Sequence, residues 1–123
     1  MYDDVVARLG SLGYEVLPDD RYAIEFAVEK VSWKIYNLCH IPEIPEGLWY
    51  IAVDMVCGEF LSAKKKLGQL EGFNTEIAVK AIKEGDTQVT YAIGDTGDPL
   101  DWLITYMLTH SKGQLVTYRR LLW

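Results

Sequence analysis

Residues 19–39, Asp-Asp-Arg-Tyr-Ala-Ile-Glu-Phe-Ala-Val-Glu-Lys-Val-Ser-Trp-Lys-Ile-Tyr-Asn-Leu-Cys, decide the fold class. Ile24, Ala27, Val28, Val31, Ile35 and Leu38 recur on a 3.6-residue period, which predicts one long amphipathic helix. Asp19 or Asp20 is suited to cap its start. Beyond Cys39 the chain meets Pro42 and Pro45. Each lacks an amide donor and restricts the residue before it, so 41–46 reads as an extended corner. A third helix begins near Pro45-Glu46-Gly47, with Leu48, Ile51, Ala52, Met55, Val56, Phe60 and Ala63 at helical spacing. Lys64, Lys65 and Lys66 fall in its last turns, where cations complement the helix dipole, and Gly68 is placed to close it. The same lysines form the one basic cluster, a candidate surface for DNA or an acidic partner. Upstream, 3–12 reads as a short first helix carrying Val5, Val6, Leu9 and Leu12 on one side. Asp3 and Asp4 suit its positive end, and Gly10 and Gly13 end it.

Downstream the period changes. Ile77, Val79 and Ala81 alternate with Ala78 and Lys80, and Val89, Tyr91 and Ile93 alternate across Thr90. Between them, Glu84-Gly85-Asp86-Thr87 supplies turn chemistry, so 77–93 reads as a β-hairpin. Two strands alone are marginal in water, so such a hairpin must pack on the helices or pair with another chain. A second loop covers 94–97. Asp98 then caps, with Pro99 at the first position of, a helix striped by Leu100, Leu103, Ile104, Met107 and Leu108. Gly113 ends that helix. The expected fold is mainly α: a small bundle of about four helices, one hairpin inserted before the last helix, and an extended C-terminal arm. The expected division is a body over 1–112 and an arm over 113–123.

A chain of 123 residues is one domain, able to bury a core without staples. Hydrophobic residues at 50% and charged residues at 24% are too apolar a mixture for disorder. No apolar run approaches the ~20 residues of a membrane span. The acidic opening Met1-Tyr2-Asp3-Asp4 is unlike the positive start of a secretory leader. A net charge of −6 argues against binding nucleic acid through bulk electrostatics, because phosphate affinity comes from Lys and Arg.

Motifs for chemistry are missing from the sequence: it has no GxSxG, Walker loop or GxGxxG. Cys39 and Cys57 sit in apolar surroundings without a CxxC, and read as reduced, buried thiols rather than a disulfide or ligands. His40 and His110 close two different helices as dipole partners; a metal shared between them would lack the usual spacing. Asp95-Thr96-Gly97 has the letters of an aspartic-protease site, yet a helix follows at once and the reading is a loop. The pairs Asp3-Asp4 and Asp19-Asp20 read as helix N-terminal charges. Trp33 lies off the main stripe of its helix and is either an interface residue or peripheral core. No catalytic residue, cofactor or metal is expected, and the chain is not expected to be an enzyme.

The element order, together with Ala81-Ile82-Lys83-Glu84-Gly85-Asp86-Thr87 and the ending Tyr118-Arg119-Arg120-Leu121-Leu122-Trp123, resembles the head–tail connector proteins of tailed bacteriophages and prophages, also called adaptor or head-completion proteins. The resemblance covers nearly the whole chain. It implies a virion protein of the neck, made in the bacterial cytoplasm. It also implies a ring of identical subunits, commonly twelve, that extends the DNA conduit between the portal and the next neck or tail protein. By the same resemblance the C-terminal segment docks on the portal, which points to Tyr118, Arg119, Arg120, Leu122 and Trp123. The hairpin tip, Lys83, Glu84, Gly85, Asp86 and Thr87, would face the lumen or a neighbour. If the hairpin is not the ring contact, the helix flanks around Trp33 and Trp49 are the alternative. DNA would be passing cargo, which an acidic wall repels and lets slide. Two other classes stay open: a small helical regulator or toxin–antitoxin component, and another neck or tail-completion protein.

Overall fold

The computed structural model describes residues 1–41, 43–70, 73–74, 76, 78, 80, 82, 99–110 and 113–116. Helix α1 spans Tyr2–Ser11, α2 spans Arg21–Cys39, α3 spans Trp49–Lys66 and α4 spans Pro99–Thr109. Short 3-10 turns, Pro18–Asp20 and Glu46–Leu48, lead into α2 and α3. The periodic stripes therefore become helices close to where the sequence places them.

The middle helix is α3, packed against α1, α2 and α4. That position explains its composition. Ala52, Val56, Cys57, Phe60 and Leu61 are buried around most of its circumference, whereas α2 buries one stripe: Ile24, Ala27, Val31, Ile35 and Cys39. From α1 come Val5 and Leu9, and from α4 Leu103 and Met107, to complete one core. Close approach of α3 and α4 depends on Gly58. A β-carbon there would lie 2.8 Å from Leu108 Cγ and 3.1 Å from Met107 Cβ.

The helix ends follow local chemistry. Gly13 and Gly68 take positive φ, which costs a glycine nothing. His40 also adopts the left-handed conformation, at φ 57°, and the Ile41 amide bonds back to the Tyr36 carbonyl, so α2 ends in a Schellman-type cap.

Two expectations meet only part of their residues. Of the hairpin over 77–93, Ala78, Lys80 and Ile82 are described. They are helical in backbone, as is Glu76, and Ala78 and Ile82 are buried four residues apart. The described part of the first arm is thus not extended; the turn and second arm lie outside the described residues. Of the arm over 113–123, residues 113–116 are described and helical. Leu115 is buried in the core and its carbonyl accepts from Cys39 Sγ at 3.7 Å, so the arm's beginning belongs to the body.

No helix among the described residues is long and apolar enough to cross a membrane.

Candidate interaction surface

The face of α2 opposite its buried stripe carries three large aromatics in water. Tyr22, Phe26 and Trp33 are 78%, 57% and 58% exposed. Their spacings of four and seven residues set them in line along the helix. Tyr22 and Phe26 stack with ring centroids 6.4 Å apart, and Trp33 meets Tyr36 edge-on at 5.9 Å. One side of this ridge falls into a groove of about 230 Å³ between α2 and α3, lined by Ala23, Phe26, Ala27, Lys30, Phe60 and Ala63. Lys30 and Lys34 both reach Glu59, at 3.1 and 3.4 Å. Burial would raise the Glu59 pKa, but the two ammonium groups outweigh it and hold the carboxyl below its ordinary value.

A second exposed aromatic, Tyr50, is 75% exposed near the start of α3. It borders an open cleft formed with Asp4, Ala7, Arg8, Val53 and Asp54. Arg8 Nε donates to Asp54 at 2.9 Å, and the Trp49 indole donates to Asp4 at 2.9 Å. His110 Nε2 approaches the other Asp54 oxygen at 3.2 Å, so Asp54 links α1, α3 and the end of α4. The bond to Asp54 raises the His110 pKa; burial opposes this, and the Tyr106 carbonyl at Nδ1 adds to it. Tyr106 in turn stacks on the His110 ring, centroids 4.4 Å apart.

A third cluster is internal. Asp20 is buried, and its carboxylate accepts from Tyr14 Oη at 2.7 Å, the Leu17 amide at 3.0 Å and Lys64 Nζ at 2.8 Å. Burial acting alone would raise its pKa, yet these three donors, Lys64 first, hold it below the ordinary carboxylate value. The Tyr14 phenol moves the other way, raised by burial and then by the neighbouring carboxylate. Asp20 therefore does not cap α2 with its side chain; it closes the turn before it and receives a lysine from α3.

The residues singled out from the sequence distribute as follows. Tyr118, Arg119, Arg120, Leu122 and Trp123 lie outside the described residues, as do Lys83, Glu84, Gly85, Asp86 and Thr87. Within the lysine triplet, Lys64 turns inward to Asp20, Lys65 pairs with Asp101 of α4, and Lys66 is exposed. Most of the candidate basic surface is thus matched by carboxylates of the same chain. Trp33 stands on the ridge, whereas Trp49 is half-buried and tied to Asp4. Both cysteines are buried, and burial, reinforced by Asp54, pushes the Cys57 thiol up to about 12. Sequence reasoning did not pick out Tyr22 and Phe26. Their register with Trp33, opposite the apolar stripe, was the available signal.

No family model matches the chain, and neither a curated protein nor a solved structure matches it.

Proposed function

We propose that this chain is a structural protein that assembles with copies of itself and joins a phage head to its tail, a head–tail connector. The observation that carries the reading is the line of exposed aromatics Tyr22, Phe26 and Trp33 on α2. Large aromatics aligned in water on one helix face are the residue types of interaction sites, and Trp and Tyr are enriched among the residues that dominate binding energy. The resemblance of the order of the helices and of the Tyr-Arg-Arg-x-x-Trp ending gives the reading its particular form. The acidic balance of the chain suits a wall along which DNA slides. A helical regulator would be expected to present a basic recognition helix. In the lysine triplet of α3, two of the three side chains are paired within the chain.

The functional assignments within this reading are a portal-docking role for Tyr118, Arg119, Arg120, Leu122 and Trp123 and a ring or lumen role for Lys83, Glu84, Gly85, Asp86 and Thr87. The test is completion of tail-less, portal-bearing heads by the purified protein. A protein ending at Val116 keeps the buried Leu115. It should melt like the full chain and fail to complete heads. Completion by the shortened protein would remove the docking role from the C-terminal segment, and inactivity of the full chain would overturn the connector reading.

A further inference from the structure

We infer that His110 is a proton-operated latch: charged, it clamps the end of α4 onto Asp54, and its neutralisation loosens the chain beyond α4 from its seat on Cys39. The surroundings of the ring carry this. Nε2 lies 3.2 Å from an Asp54 oxygen, and Nδ1 lies 2.7 Å from the Tyr106 carbonyl oxygen. A carbonyl can only accept a hydrogen bond. Between pH 6 and 8 an aspartate is a carboxylate, and it too only accepts. Two acceptors at one ring call for two donors, which the imidazolium alone supplies. The Tyr106 ring lies flat against it, centroids 4.4 Å apart, and an aromatic face suits a cation. The C-terminal end of a helix suits one as well. The neutral ring has a single N–H. Whichever nitrogen keeps it, the other turns a lone pair toward an oxygen, and one of the two contacts becomes repulsive.

Among the described residues, the groups that act on this titration are Asp54 of α3, Arg8 of α1 and Tyr106 of α4 itself. Arg8 stays charged and keeps its bond to Asp54 in either state, so Asp54 has two cationic partners below the titration and one above it. Solvent reaches the switch, since 23% of the His110 side chain is exposed. The position of the latch gives it a consequence. Past His110 the chain returns to the core as helix at 113–116, where Leu115 is buried and its carbonyl accepts from Cys39 Sγ at 3.7 Å. The end of the chain is thus pinned to α3 through His110 and to α2 through Leu115. With the first pin lost, the second opens more often, and the Cys39 thiol reports it.

The experiment labels the full chain with N-ethylmaleimide from pH 6 to pH 8 and reads Cys39 and Cys57 separately by peptide mass. Each rate is divided by that of the same thiol in the urea-unfolded chain at the same pH, which removes the thiol's own titration. Relative accessibility of Cys39 should rise about tenfold over this range, the order expected for one hydrogen bond to a charged group. At pH 8 it should exceed that of Cys57, which is buried between α3 and α1 with its Sγ at the Val5 carbonyl. His110→Gln does not charge and should hold Cys39 at one accessibility throughout. Asp54→Asn should do the same, and replaces it if the glutamine variant melts unlike wild type. The inference is overturned if Cys39 accessibility does not change with pH, or if the variant keeps the rise. Equal accessibility of the two thiols at pH 8 also overturns it, because the opening is then that of the whole fold.

Discussion

Lys64 Nζ and an Asp20 carboxylate oxygen lie 2.8 Å apart, with 13% and 4% of the two side chains exposed. This pair ties the end of α3 to the turn before α2, and the remaining Asp20 oxygen is occupied by the Leu17 amide and the Tyr14 hydroxyl. Removing one member of a buried pair leaves the other charge without compensation. Asp20→Ala should therefore lose about 3–5 kcal/mol of stability in urea unfolding. Lys64→Met should lose less, because Asp20 keeps two neutral donors. In the double variant Asp20→Ala, Lys64→Met, the two losses should fall short of additive by about 1 kcal/mol or more. Additive losses would show that the pair is not coupled.

Gly58 predicts a packing limit. Its missing β-carbon is the space into which Leu108 and Met107 of α4 fit. Gly58→Val should destabilise by about 1–3 kcal/mol through overpacking. Alanine favours helix over glycine by about 1 kcal/mol, so Gly58→Ala isolates the steric effect. It should not raise the melting temperature. A rise matching the full propensity gain would mean that α4 yields freely.

The His110–Asp54 contact makes stability depend on pH. His110 has its pKa raised above the ordinary 6.5 in the folded chain, chiefly by Asp54 and then by the Tyr106 carbonyl on the same ring, against burial and the nearby Arg8 charge, which oppose it. A raised histidine contributes stability fully below about 6.5, and that contribution disappears as pH rises through the folded value. Melting temperature should fall from pH 6 to pH 8, and His110→Gln should flatten that fall. At the acid end the sign reverses. Asp20 and Glu59 have lowered values, so their contribution is present above the ordinary 3.8 and 4.5 and is lost as pH falls through the folded values. An unchanged slope between pH 6 and 8 in His110→Gln would remove this histidine from the account.

Helices were legible in the sequence where an apolar stripe ran for many turns. The α2 stripe, Ile24 to Leu38, and the α3 repeat, Leu48 to Ala63, each persisted for about four turns of helix, and Pro42, Pro45 and Gly68 marked the breaks. The short apolar run at 77–82 was harder. Ile77, Val79 and Ala81 fit period 2, but Ala78 and Ile82 also fit the four-residue step of a helix, and they are the pair found helical and buried. Periodicity does not separate the two states over so few residues. Charged residues were legible in position and not in direction. Asp20 looked like an N-cap and Lys64 like a dipole partner because both roles are local. Their actual bond joins residues 44 positions apart, which no local pattern encodes. For the same reason, Trp33 could be seen to lie off the stripe, while the Arg8–Asp54–His110 link across three helices could not.

The central claim, assembly into a connector ring, is tested most directly by the mass of the purified protein over rising concentration, alone and with its portal. The account predicts species of many subunits, with a ring-sized assembly on the portal. Monomer mass throughout, with no portal-bound species, would contradict it.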